Sequence, residues 1–591
     1  MASLASSLPE DALLLVLQSV PQLGGLGFPR GDWAACAAVC SRWRALVRAH
    51  RTRLRLHLPR DPRLAPPLLR AAVRELSCSR LPLAELSLSL SSLSLSLSSA
   101  AALPADVQAE LSRLAARSAA LESLVLRAAD GVARPPSDAL SPLVAAVGAE
   151  ERAALCRVDV SWGDACSAKA LGAVLRAAPR LAALRLAGCS RVADARVMAA
   201  LRARGERLVE LGLAACSALD EEGVIQICAA CPHLTDLDIS RLPISRRALE
   251  AILHVPVDDG TEGPLGRPRS SLQRLAICGY TQLSSHALAR PLVLLPNLCA
   301  YNVAGSLFAD MSIDSLAHEL AALTSQEAGE AEHEAPCTLR CLGDVNLTEC
   351  SALTDRGVVS LCRMARSSLH TLRLGGPFSP LADPTVAEIA SLKALRHLEL
   401  TRLATGRVTQ PSFQLLSRAA SGLELLDLSH SQDLSAAALR CLLSRAGPGC
   451  GARLRTLRLR GCARAVTDDV LCSFLPRAHS LASLDVAFCT ELTVNAAVAI
   501  AAPFSARAVM RRVPSLKACA ACGLLDVTGC SKLSERGIRQ LRTLEEGEAL
   551  RVLGLDLTEV NYLNSSMHTQ STSREAEHSA NLPPIGLLQL G

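Results

Sequence analysis

Leu181-Ala-Ala-Leu-Arg-Leu-Ala-Gly-Cys189 returns, little altered, as Leu208-Val-Glu-Leu-Gly-Leu-Ala-Ala-Cys216, Leu454-Arg-Thr-Leu-Arg-Leu-Arg-Gly-Cys462 and Leu481-Ala-Ser-Leu-Asp-Val-Ala-Phe-Cys489. Further copies start at Leu155, Leu234, Leu272, Leu298, Leu342, Leu369, Leu395, Leu423, Cys522 and Leu550, with a looser one at Leu121. Leu181 to Leu208 is 27 residues, while Leu208 to Leu234 and Leu369 to Leu395 are each 26. A fixed period of this length marks one supersecondary unit repeated along the chain.

Each copy reads as strand, turn, helix. The second and third apolar positions of L-x-x-L-x-L alternate with an outward residue, as in a short strand. The second half, as in Thr354-Asp-Arg-Gly-Val-Val-Ser-Leu-Cys-Arg-Met364, offers an N-cap in Thr354 or Asp355 and apolar residues at helical spacing through Val358, Leu361 and Met364. One unit cannot bury its own apolar face, so stacked neighbours must supply the other wall. The expected fold is therefore an α/β solenoid, curved, with parallel strands on a concave face and helices on the convex face.

Composition agrees with such a core. Half of the 591 residues are hydrophobic but only 2% are aromatic, so Leu, Ala and Val must fill stacked layers. The 62 basic and 56 acidic residues are spread along the chain, giving a net charge of +6 with no long basic tract, and nucleic acid is not an expected partner. The uncharged stretch Leu86–Ala105 is long enough to cross a bilayer, yet its Leu-Ser alternation places hydroxyls throughout, and no membrane insertion is expected. Its Leu86–Ser99 part reads either as a strand edge or as biased sequence near a degenerate repeat. Twenty-three cysteines, with no charged start leading into a signal-peptide core, point to a reducing compartment, cytoplasmic and/or nuclear.

Three spacings exceed the unit, predicting insertions near 255–270, 325–337 and 502–520. The first holds Val257-Asp-Asp-Gly-Thr-Glu-Gly-Pro-Leu-Gly266 and the second Ser325-Gln-Glu-Ala-Gly-Glu-Ala-Glu-His-Glu334, both of loop composition. The organisation expected is a helical module over 1–50, a linker with degenerate first repeats over 51–120, about 13–15 units over 121–560 and a disordered tail over 561–591.

No phosphate-binding loop, nucleophile elbow or zinc-protease helix is present, and the 13 His are scattered, so no catalytic residues, metal or cofactor are expected. Cys228-Ala-Ala-Cys231 and Cys519-Ala-Ala-Cys522 have the spacing of a zinc half-site but lack a second half nearby. Cys189, Cys216, Cys350, Cys462, Cys489 and Cys530 sit just past the strand, where a small apolar side chain packs under the turn. The residue between the last two apolar positions must point outward, which names a column running Arg185, Gly212, Asp238, Ala276, Asn302, Asn346, Arg373, Glu399, Asp427, Arg458, Asp485, Asp526 and Gly554. Of these Asp238, Asn346, Arg373, Glu399, Asp427, Arg458, Asp485 and Asp526 are the candidate contacts for a protein segment, basic or mixed in charge.

Before the repeats, Leu8-Pro-Glu-Asp opens a helix, with Pro9 suited to its first turn and Glu10 and Asp11 to its positive dipole end. Leu13, Val16 and Leu17 share a face, and a second helix holds Val39, Cys40 and Trp43. Leu8-Pro9-Glu10-Asp11 with Leu13 and Leu17, followed by Val39-Cys40-Ser41-Arg42-Trp43-Arg44, resembles the F-box, the helical motif that docks on the Skp adaptor of cullin-RING ubiquitin ligases. The segments Gly-Cys189-Ser-Arg-Val-Ala-Asp194, Glu-Cys350-Ser-Ala-Leu-Thr-Asp355 and Gly-Cys530-Ser-Lys-Leu-Ser-Glu535 resemble the cysteine-containing subclass of leucine-rich repeats. Together they are similar to the F-box leucine-rich-repeat proteins. That resemblance implies a non-catalytic substrate-recognition subunit whose Leu8, Pro9, Leu13, Leu17, Val39, Cys40 and Trp43 hold the adaptor, and through it a cullin, while the repeats hold a protein substrate. The alternative is a non-catalytic repeat scaffold whose first fifty residues only cap the solenoid.

Overall fold

The structure is a computed structural model that describes residues 53–58, 85–90, 121–128, 154–161, 167–255, 267–327, 339–376, 382–402, 408–419, 422–443, 453–475, 481–500, 523–527 and 550–553, with single positions between them. The expected helical module 1–50, the insertion at 502–520 and the expected tail 561–591 lie outside these residues. The chain forms two compact units, Met1–Glu399 and Leu400–Gly591.

The first unit begins with strands β1 (Arg53–Leu58), β2 (Glu85–Leu90), β3 (Ser123–Ala128) and β4 (Arg157–Ser161). Helix α1 (Ala168–Ala177), β5 (Ala183–Arg185), α2 (Ala195–Arg204), β6 (Glu210–Gly212), α3 (Glu221–Ala229), β7 (Asp236–Asp238) and α4 (Arg246–Ile252) follow. Then come β8 (His254–Val255), β9 (Arg267–Pro268), β10 (Arg274–Ala276), α5 (Ser285–Leu294), β11 (Ala300–Asn302), α6 (Asp310–Glu327), β12 (Asp344–Asn346), α7 (Asp355–Met364), β13 (Thr371–Gly375), α8 (Asp383–Ala390) and β14 (His397–Thr401). The second unit continues with α9 (Gln410–Ala419), β15 (Leu425–Asp427), α10 (Ala436–Leu443), β16 (Thr456–Arg458), α11 (Asp468–Phe474), β17 (Ser483–Asp485), β18 (Gly523–Asp526) and β19 (Leu550–Leu553).

Each repeat strand, β8 and β9 apart, pairs in parallel with the next repeat's strand. In the first unit the order is β1 to β7 in sequence, then β10 to β13. In the second it is β15 to β19. Register never slips: Leu184 faces Leu211, which faces Leu237, which faces Leu275. A one-residue slip would turn this leucine row to solvent. The fold is thus an α/β solenoid of leucine-rich strand–turn–helix repeats.

Three apolar rows per unit carry the core. The first leucine of each copy (Leu181, Leu208, Leu234), the second (Leu184, Leu211, Leu237) and the third (Leu186, Leu213, Ile239) are all buried, as are Leu454, Leu457 and Leu459 in the second unit. Burying each such side chain contributes about 1.5–3 kcal/mol. Helices start where short polar side chains accept backbone N–H groups: Ser167 from Ala170, Asp220 from Gly223, Ser245 from Ala248 and Thr354 from Arg356.

Three local expectations resolve differently. Leu-Ser alternation forms β2 over Glu85–Leu90, and β2 pairs with both β1 and β3, so it is an inner strand rather than an edge. The insertion expected from 325 begins inside α6, whose Ala, Leu and Glu residues continue the helix to Glu327. The insertion near 255–270 rises from an antiparallel pair, His254 with Pro268 and Val255 with Arg267, instead of being loop throughout.

Candidate functional site

Strand register stacks the expected column on one face of each unit. Arg185, Gly212, Asp238, Ala276, Asn302, Asn346 and Arg373 lie side by side in the first unit, with Glu399 on β14, and Asp159 on β4, which the sequence reading did not include, extends the row. In the second unit Asp427, Arg458, Asp485 and Asp526 do the same. Two residues earlier on each strand stands a second outward row, which the sequence reading passed over: Arg157, Glu210, Asp236, Arg274 and Asp344.

Ion pairs knit these rows across neighbouring repeats. Glu210 binds both Arg157 (3.4 Å) and Arg185, and Asp236 binds Arg274 (2.8 Å) and Arg185 (3.9 Å). Arg373 bridges Asp344 (2.6 Å) and Glu399 (3.2 Å). In the second unit Arg458 meets Asp427 (3.4 Å), and Arg460 bridges Asp485 (3.2 Å) and Asp526 (2.5 Å). Pairs this exposed contribute about 0–1 kcal/mol each. Their consequence is orientation: charges of both signs are held in fixed positions on the strand face.

Part of the column has a structural duty. Asp238, Asn302, Asn346, Asp427 and Asp485 each accept, through Oδ1, the backbone N–H two residues on, at 2.9–3.2 Å. That bond ends the strand in a turn. Asp427 departs furthest from the expected outward contact, being only 6% exposed, because its carboxylate is shared between Ser429 N–H and Arg458. Asp159, fully buried, likewise accepts from the Ser161 hydroxyl at 2.6 Å.

One residue further, the chain turns through positive φ in almost every repeat. Gly188, Gly279, Gly305 and Gly461 adopt it freely, but Ala215, Arg241, Glu349, Arg402, His430 and Phe488 stand at φ 55–62°, a conformation costing non-glycine residues about 1–2 kcal/mol.

The next position is the cysteine row. Cys189 Sγ donates to the Val160 carbonyl (2.8 Å), Cys216 to Leu186 (3.0 Å), Cys350 to Val303 (3.3 Å), Cys462 to Leu428 (3.0 Å), Cys489 to Leu459 (3.2 Å) and Cys530 to Val486 (3.2 Å). Every acceptor is the carbonyl just after the preceding repeat's column residue. At two repeats without the cysteine another donor stands in: the Tyr280 hydroxyl reaches Ile239 at 2.5 Å and the Ser306 hydroxyl reaches Ile277 at 3.0 Å. These cysteines therefore fill space, as expected, and also give a second donor to carbonyls such as those of Leu186, Val303, Leu459 and Val486, which already accept a backbone N–H within their own turn. Burial pushes the thiols of Cys216, Cys350 and Cys462 up to about 11 and that of Cys530 to about 12, which keeps them protonated and poor nucleophiles.

The Cys228/Cys231 pair lies at the end of α3. Beside it sits Arg269, 1% exposed, whose Nε donates to the Ile252 carbonyl (2.6 Å), Nη1 to Cys231 (2.6 Å) and Nη2 to Cys228. The guanidinium closes the C-terminal ends of α3 and α4, where carbonyls lack helical partners and the dipole favours a cation. Both thiols are raised by burial, to about 11 for Cys228 and about 12 for Cys231. Arg269 escaped the sequence reading because it lies between an insertion and a strand, where no period points to it. The adaptor candidates Leu8, Pro9, Leu13, Leu17, Val39, Cys40 and Trp43, and the second pair Cys519/Cys522, lie outside the described residues.

No family model matches the chain, and no curated protein matches it. Among solved structures, yeast Rad7 in complex with Elc1 aligns at 15% identity and TM-score 0.38, over 71% of this chain and 84% of that one. The leucine-rich-repeat-containing protein LegL7 from Legionella pneumophila aligns at 14% identity and TM-score 0.31, over 67% and 99%. A TLR13–ssRNA13 complex aligns at 16% and 0.26, over 78% and 60%.

Proposed function

We propose that this chain is the substrate-recognition subunit of a Skp-cullin-F-box type ubiquitin ligase, with its N-terminal helices on the Skp adaptor and its strand faces on a protein substrate. The observation that carries the substrate half is the strand face itself: rows of charges of both signs, cross-linked by Arg185, Arg373, Arg458 and Arg460, on a rigid sheet. Such a pattern suits recognition by complementary charge, which gives specificity and steering more than raw affinity. The adaptor half is supported by the Leu8–Leu17 and Val39–Trp43 motifs. The chain has no catalytic activity of its own in this reading. It holds the acceptor lysine near a ubiquitin-charged enzyme, replacing a bimolecular encounter by an effectively unimolecular one, in the cytoplasm or nucleus.

Charge reversal separates the two halves. The Arg373→Glu/Arg458→Glu variant, its fold checked by circular dichroism because reversal at 458 sets a like charge beside the nearly buried Asp427, should still comigrate with the Skp adaptor on size exclusion. Ubiquitin transfer by the reconstituted ligase to proteins bound by the wild-type chain should be lost. Undiminished transfer by that variant would remove the strand faces from substrate binding.

A further inference from the structure

A cavity of about 440 Å³ opens at the C-terminal ends of β15 to β17, lined by His430, Gln432, Asp433, Gly461, Arg464 and Phe488 among others. Its origin is legible in the repeat. His430, Gly461 and Phe488 hold the same position, three residues past the column, in successive units, all at positive φ (62°, 69° and 59°). Glycine in the middle leaves a gap between two rings. A side chain there would crowd the His430 ring, whose Nδ1 lies 3.1 Å from where a Cβ would stand. Strands two apart are separated by about 9.6 Å, enough for one flat side chain in contact on both sides at about 3.5 Å.

Two independent features point to an occupant. First, Phe488 is 49% exposed, the one aromatic among the exposed large hydrophobic side chains of the described residues, and an exposed ring beside a cavity suits a partner contact. The Arg460 guanidinium lies 5.4 Å from the Phe488 ring centroid and is itself pinned by Asp485 and Asp526, so the wall is braced. Second, among the described residues the side-chain donors around the cavity have no side-chain partner. Arg464 is exposed and has no ion-pair partner among the described residues, and the His430 ring and Gln432 amide have no side-chain hydrogen bond there. The acidic liner Asp433 has an interaction partner of its own.

We propose that this slot anchors an acidic segment of a protein partner, a flat side chain lying against Phe488 and the carboxylate of a neighbouring residue meeting Arg464, Gln432 and His430. The proposal rests on reading the repeats as a protein-binding surface, and it adds the charge and shape of the segment bound.

The test uses the full chain and three fluorescein-labelled peptides, Gly-Ser-Tyr-Glu-Glu-Gly-Ser and its Gln-Gln and Lys-Lys versions, read by anisotropy. The Glu-Glu peptide should bind at least about tenfold more tightly than either, a difference the size of one charge-assisted hydrogen bond. Phe488→Gly should weaken it about fivefold or more while raising the melting temperature, because glycine accepts the left-handed backbone. Arg464→Glu should erase the preference. Equal binding of the three peptides, preference for Lys-Lys, tighter binding of a single-stranded RNA oligonucleotide, or a Phe488→Gly chain that keeps its affinity would each overturn the slot. None of these outcomes bears on the wider reading, whose own tests are the strand-face charge reversal and adaptor binding.

Discussion

At the scale of single residues, the sulfur row makes a pH prediction whose sign follows from burial. An unfolded thiol ionises near 9, whereas Cys216, Cys350 and Cys462 are pushed up to about 11 and Cys530 to about 12. The folded chain therefore keeps protons that the unfolded chain releases. Stability is whole below about 9 and falls between 9 and about 11–12, by up to ~1.4 kcal/mol per pH unit for each thiol. Melting temperature followed from pH 8 to 10.5 should drop, and Cys462→Ala should lessen the slope while lowering the plateau; a flat profile would contradict the buried S–H donors. Arg269 makes the second residue-scale prediction. Arg269→Met removes the guanidinium donor from the carbonyls of Cys231 and Ile252, and from that of Cys228, which keeps a backbone N–H from Cys231, and should cost about 2–4 kcal/mol in urea unfolding. Arg269→Lys, lacking the fork, should recover only part of it.

At the scale of elements, neighbouring repeats are clamped through their helix starts. Asp310, at the start of α6, accepts both the N–H (2.8 Å) and the hydroxyl of Thr354, the N-cap of α7. Asp355 accepts the N–H of Ala382 ahead of α8 (2.9 Å), Asp468 accepts Thr493 N–H (2.9 Å), and Glu221 accepts Ser245 N–H (3.0 Å). A single carboxylate thus serves its own helix dipole and its neighbour's cap. Asp468→Ala should lower stability by about 1–2 kcal/mol, measured by chemical denaturation, and a loss under half of that would reduce the clamp to a surface contact. This level also shows what the sequence made legible. L-x-x-L-x-L placed every described column residue on its strand, because alternation is a local property. The second row of Arg157, Glu210, Asp236, Arg274 and Asp344 obeys the same alternation and could have been found with it. The double use of Asp427, the bracing of Phe488 by Arg460 and the Tyr280 stand-in for cysteine could not, since each depends on which residues an adjacent repeat brings near.

At the scale of the whole molecule, each unit is a sum of nearest-neighbour layers, and its strand face presents charges of both signs held by ion pairs. In the function proposed above, that face holds a partner and the N-terminal helices bring it to the ligase. Copurification with the Skp adaptor of its own source tests that most directly, comparing the intact chain with Leu8→Ala/Pro9→Ala and with Trp43→Ala, each checked for its fold by circular dichroism. The account predicts a one-to-one complex with the intact chain and its loss in both folded variants. An intact, folded chain that binds no such adaptor would contradict it and leave the scaffold reading in its place.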